Sequence, residues 1–109
     1  MICAQGDIIE VSFDPSLGHE QQKTRPALVV SADDFNYMSS MTMVAPITTL
    51  NNGYPMHVEV EGCEDVWGWV CVEQMRALDL NARRCRKLGS LGDHAMSEVL
   101  NRVGAVFGI

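Results

Sequence analysis

GDIIEVSFDPSLGHEQQKTRPALVV, residues 6–30, holds two strand patterns joined by a long polar connection. Ile9, Val11 and Phe13 alternate with Ile8, Glu10 and Ser12, the period of two expected of a strand with one face on a core. DPSLG then supplies turn residues, and PALVV reads as a second, more fully buried strand whose proline keeps the residue before it extended. Working outward, MTMVAPI has the same buried-strand character, MHVEVE alternates with Met56, Val58 and Val60 inward, and VWGWVCVE is an apolar strand in which Gly68 marks a bulge or bend. SADDFNYM places Asp34 three residues after Ser31, a short helix start. DHAMSEVLNRVGAVF spaces Met96, Val99, Leu100, Val103, Val106 and Phe107 as one helical stripe behind Asp93 as a cap. Short strands, brief connections and two helices predict an α+β, mainly β chain: a small barrel with the last helix packed on it, in one domain spanning residues 1–109.

Composition narrows the classes of function. Apolar residues make up 47% of the chain, enough for a core without metal or disulfide staples. Cys3, Cys63, Cys71 and Cys85 form no C-x-x-C pair, which speaks for buried thiols of a cytosolic protein, and a grouping of His57, Cys63 and Cys71 fits no familiar metal-ligand spacing. No metal or cofactor is expected. MICAQGDIIE lacks a basic start followed by a long apolar core, and no apolar run is long enough to span a bilayer, so a cytoplasmic location and no membrane partner are expected.

A net charge of −6 argues against a general nucleic-acid binder, because phosphate contacts require clustered cations. The cations are nevertheless unevenly placed. Arg76, Arg83, Arg84, Arg86 and Lys87 fall within residues 76–87, Lys23 and Arg25 lie in the opening loop, and residues 26–75 carry none. If the two basic segments meet, they create a local positive field for an anionic ligand; otherwise the 83–87 run is an ordinary solvated strand.

The connection over residues 14–25 is longer than the roughly two to five residues of an ordinary hairpin loop. It gathers His19, Glu20, Gln21, Gln22, Lys23, Thr24 and Arg25, groups able to move protons and hold a phosphate together. Cleaving RNA through its own 2′-hydroxyl requires a base, a cation for the charge building on the phosphoryl oxygens, and an acid for the leaving oxygen. His19 and Glu20 can handle protons. Arg25 suits the clamp because its planar fork meets two phosphate oxygens and stays charged. Thr48 and Thr49, at the end of PITTL, offer hydroxyl donors. Tyr54 and His57 in the 50–57 loop are available as platforms for stacked bases.

The blocks GDIIEVSFDPSLGHEQQKTRPALVVS, FN, MTMVAPITT and VEQMRALDLNAR follow in one collinear pass and together resemble the PemK/MazF/Kid family of toxins from toxin–antitoxin pairs, nearest the PemK/Kid and ChpB branch. The resemblance implies a small SH3-like open β-barrel of the CcdB/PemK type, a homodimer, a cognate PemI/MazE-like antitoxin, and metal-independent, sequence-specific cleavage of single-stranded mRNA that inhibits translation and growth. Its products would be a 2′,3′-cyclic phosphate and a 5′-hydroxyl. On that basis Glu20, Arg25 and Thr48 carry the catalysis, and His19, Gln21, Lys23, Thr49, Glu73, Gln74 and Arg76 contact RNA. Two positions depart from the Kid branch: Glu73 stands for an aspartate proposed there as base, and Cys71 for an arginine proposed as acid. A thiol is a poor substitute for a guanidinium. A MazF-like arrangement is therefore favoured, with Glu20 as base, Arg25 stabilising charge, and Glu73 bridged to Arg25 or Arg76. Two other functions share such a dimer: a CcdB-like gyrase poison and an inactive antitoxin-binding dimer.

Overall fold

A computed structural model of the chain describes residues 3–13 and 24–109. Its elements are β1 (Asp7–Ser12), β2 (Thr24–Val29), α1 (Asp33–Met38), β3 (Thr42–Thr48), β4 (His57–Glu59), β5 (Trp69–Cys71), β6 (Arg76–Leu78), β7 (Cys85–Ser90) and α2 (Asp93–Phe107). Every pairing is antiparallel, and the sheet runs β4-β5-β3-β2-β1-β7. β6 lies beside β5 along the same edge of β3, separated from it by a 3₁₀ turn at Val72–Gln74. The strand expected across VWGWVCVE is thus shortened to Trp69–Cys71, its last residues turning aside before β6. The sheet curls but stays open, as an open barrel requires, with β4 and β7 as its outer strands.

Both faces of this sheet are covered, and that departs from the pattern expected of β1. Ile8, read as outward-facing, is fully buried with Leu28, Ala45, Ile47, Val70 and Val99 under α2. Ile9 and Val11 point the other way, into a second core with Cys3, Ala27, Val29, Val44, Leu78 and Leu80. Alternation identified the two faces correctly but could not reveal that α2 covers the one carrying Glu10. Only Glu10 remains partly exposed in the middle of β1, where it pairs with Arg86 of β7 at 3.1 Å.

Helix starts also differ from expectation. Ala32, not Ser31, precedes α1 and no side chain caps it. Ser31 Oγ instead donates to Asn36 Oδ1 and accepts from the Met43 N–H, while Asn36 Nδ2 donates to the carbonyls of Cys3 and Ser31. The FN pair in the sequence therefore marks a buried amide that ties the N-terminal segment to α1 and β3. Gly92 occupies the cap position of α2, so Asp93 is the first helical residue, where its charge still complements the helix dipole. Of the expected stripe, Val99 is buried and Met96 and Val103 pack on the core, whereas Leu100, Val106 and Phe107 stay exposed. Ala95, absent from that stripe, is buried in their place.

Candidate active site

The site is assembled by register. β2 and β3 pair Ala27 with Pro46, so continuing the ladder outward sets Arg25 beside Thr48, the last residue of β3. On the other side of β3, Thr48 pairs with Trp69, and on β4 His57 pairs with Cys71. Counting in twos from Val11, Ala27, Val44 and Leu78 puts Phe13, Arg25, Thr48 and Arg76 on the sheet face of the second core. Arg25, Thr48, Leu50, Asn52, His57, Cys71 and Gln74 line a cleft of about 210 Å³ at that end of the sheet.

A glycine lets the chain that enters β5 pass close to Thr48. Gly68 has φ of +136°, and a Cβ there would lie 2.3 Å from the Thr48 carbonyl oxygen. No other residue allows β5 to approach Thr48 so closely with that backbone. The Thr48 hydroxyl oxygen accepts from the Leu50 N–H at 3.1 Å, which fixes the oxygen and leaves the hydroxyl proton free for a ligand. Arg25 is exposed, and its guanidinium lies 5.8 Å from the Phe13 ring centre; that of Arg76 lies 5.5 Å from the same ring. One aromatic ring thus gathers two cations beside the cleft.

The rest of the basic segment does not join them. On β7, Arg86 pairs with Glu10 and Lys87 with Asp7 at 3.2 Å; ahead of that strand, Arg83 donates to the Ser12 carbonyl at 2.9 Å. The 76–87 segment therefore contributes Arg76 to the cleft end, while Arg86 and Lys87 are paired with carboxylates of β1.

Glu73 and Gln74 sit on the 3₁₀ turn between β5 and β6. Glu73 Oε2 lies 3.0 Å from His57 Nε2 and accepts from Gln74 Nε2 at 3.3 Å. This corrects the expected bridge from Glu73 to Arg25 or Arg76. Burial alone would raise the Glu73 pKa, but the bonds from His57, its own backbone N–H and Gln74 outweigh it and hold the carboxyl below the usual range. His57 is no stacking platform either. Its side chain is 7% exposed and meets Tyr54 edge to face at 5.3 Å. Cys71 is buried; burial first, and Glu73 second, push its thiol up against the opposing pull of Arg25, so it keeps its proton at neutral pH. Among the described residues no three His, Cys, Asp or Glu side chains form a metal-ligating group.

Of the catalytic and RNA-contacting residues expected from the sequence, Arg25, Thr48 and Gln74 come together in the cleft, with His57 and Cys71 beside them. Glu73 and Arg76 adjoin it through His57, Gln74 and Phe13, and Thr49 is exposed without lining it. His19, Glu20, Gln21 and Lys23 lie outside the described residues. Sequence reasoning missed His57 as the partner of Glu73 and Asn52 as a lining residue. The signal for His57 was present: with Val58 inward, its neighbour in MHVEVE must face the other way.

A guanidinium, a free hydroxyl proton and an amide around a space of this size form a set of donors for an anion, with a carboxylate at the rim. The model of the PemK-like, MazF-like toxins of type II toxin–antitoxin systems matches residues 4–107. The endoribonuclease toxin ChpB of Escherichia coli K12 is 46% identical over 94% of this chain and 91% of its own length. The endoribonuclease PemK of Escherichia coli is 35% identical over 94% of this chain and 80% of its own. MazF in a MazE–MazF crystal structure from Deinococcus radiodurans superposes with a TM-score of 0.86 at 30% identity, covering 100% of this chain and 98% of that one. The chain belongs to the PemK-like, MazF-like toxins of type II toxin–antitoxin systems.

Proposed function

We propose that this toxin is an endoribonuclease that cuts single-stranded mRNA by attack of the RNA's own 2′-hydroxyl, leaving a 2′,3′-cyclic phosphate and a 5′-hydroxyl, and so stops translation and growth. The observation that carries the reading is the meeting of Arg25 and Thr48 in one cleft. Arg25 holds the scissile phosphate, stabilises the charge that develops on it and orders the donor that protonates the leaving 5′-oxygen, and the Thr48 hydroxyl hydrogen-bonds a phosphoryl oxygen. Glu20 takes the proton from the attacking hydroxyl. His19, Gln21, Lys23, Thr49, Glu73, Gln74 and Arg76 contact the flanking RNA. No step in this scheme calls for a metal or cofactor.

The toxin works as a single-domain homodimer in the cytoplasm and is held inactive by a cognate MazE-like antitoxin, as the MazE–MazF structure similar to this chain suggests. No helix among the described residues is long and apolar enough to cross a membrane. Gyrase poisoning and an inactive dimer are not favoured, since the relatives are named endoribonucleases.

The test is incubation of the purified protein with single-stranded RNA in EDTA. Cleavage that persists, with cyclic phosphate and 5′-hydroxyl ends, supports the scheme. Loss of activity on chelation, or 3′-hydroxyl products, refutes it.

A further inference from the structure

A buried imidazole must account for two ring nitrogens. His57 opens β4, opposite Cys71, and contributes to the lining of the Arg25–Thr48 cleft. Nε2 meets Glu73 Oε2, whereas Nδ1 is buried without a partner. Leaving a buried ring nitrogen unsatisfied is costly, a cost that an apolar side chain at this position would not carry. The return is visible on the other nitrogen. Glu73 stands on a short turn with a flexible side chain, and free rotation would spread its carboxylate over several directions. His57 and Gln74 both bond the same oxygen and hold it in one.

We propose that His57 is a positioning residue of the cleavage site: together with Gln74 it fixes the Glu73 carboxylate at the rim of the Arg25–Thr48 cleft, as an acceptor for donor groups of the bound RNA. A loose carboxylate beside a phosphodiester would repel it; one held to the side by its own donors can meet a hydroxyl or exocyclic amine instead. The inference rests on the nuclease reading. It assigns His57 no contact with RNA, only an action through Glu73. The other charged or titratable groups around the imidazole are Arg25 from β2, Tyr54 from the preceding loop, Cys71 from β5, Glu59 from its own strand, Glu61 just after it, and His94, Glu98 and Arg102 from α2. Among the described residues Glu73 is the one that bonds it.

The test compares single-turnover cleavage of one short RNA by wild type, His57→Leu, His57→Gln, Glu73→Ala and the His57→Leu/Glu73→Ala double variant. A carbon-detected titration of the Glu73 carboxyl accompanies it. His57→Leu should lose roughly 10- to 100-fold in rate, in keeping with a misplaced group near the chemistry. His57→Gln should recover most of it, since its amide N–H can reach the same oxygen. The double variant should be no slower than Glu73→Ala alone, and the Glu73 midpoint should rise in His57→Leu. If His57→Leu fails to fold, His57→Asn, whose amide is too short to reach Glu73, takes its place with the same expectations. An unchanged rate, losses that multiply in the double variant, or an unmoved Glu73 midpoint would overturn the proposal. Wild type that fails to cleave refutes the nuclease reading instead, and the titration then decides on its own whether His57 fixes the carboxylate.

Discussion

Arg25 owes its value to shape as well as charge. A guanidinium offers two parallel donors to a phosphate, and the Phe13 ring holds it from one side without using any of them. Arg25→Lys keeps the charge and discards the fork, so kcat is expected to fall by roughly 100- to 1,000-fold, the usual effect of losing one preorganised donor at a reacting centre. The melting temperature should barely change, because the side chain is exposed; a large drop would mean that Arg25 serves the fold. Glu73 permits a prediction in pH. Its carboxyl titrates lower in the folded chain than in the unfolded one, so its bonds with His57 and Gln74 add stability above the unfolded value of about 4.3 and lose it as pH falls through the folded value. Glu73→Gln should therefore flatten the decline of melting temperature between about pH 5 and pH 3; an unchanged profile would show that the carboxylate gains nothing from folding.

At the scale of elements, the site depends on how strands end. β2 starts at Thr24 and β3 stops at Thr48, which brings the arginine and the hydroxyl to the same end of neighbouring strands. That much was legible, because RPALVV and APITT each announce a strand with polar residues at one end. The break between β5 and β6 was not. VWGWVCVE reads as one apolar strand, and only contact with β3 shows that Val72–Gln74 turns aside and carries Glu73 and Gln74 out to the cleft. The pairing of His57 with Glu73 was hidden for the same reason, since it joins residues brought together by β4–β5 register and by that turn. Gly68 is the element-level weak point. Gly68→Ala would press a methyl against the Thr48 carbonyl and strain a backbone at positive φ, so a loss of at least about 1 kcal/mol in stability is expected, with lower cleavage activity, as read by chemical denaturation and the RNA assay. Full stability in that variant would contradict the close approach. Ile8, covered by α2 on the face that alternation had assigned to solvent, should cost about 2–5 kcal/mol when changed to Ala. A cost below about 0.5 kcal/mol, the range of exposed sites, would contradict that burial.

For the molecule as a whole, a net charge of −6 has to be reconciled with a polyanionic substrate. Arg86 and Lys87 are paired with carboxylates of β1, and Arg25 and Arg76 converge on Phe13 beside the cleft. In the proposed scheme attraction for RNA is thus local, and repulsion elsewhere discourages indiscriminate binding. Each phosphate contact adds about −0.7 to the slope of log affinity against log salt for a single strand, so Arg76→Ala should reduce that slope by about 0.7 while leaving kcat at saturating RNA unchanged. An unaltered slope would place Arg76 away from the bound strand. In the proposed scheme Arg25 and Thr48 grip one phosphodiester together. A double-mutant cycle of Arg25→Ala and Thr48→Val, read as kcat/KM on a short single-stranded RNA, tests it most directly. Two groups on one phosphate should be coupled by at least about 1 kcal/mol, the double variant losing less than the two single losses multiplied. Strictly multiplicative losses would show that they act on separate parts of the substrate.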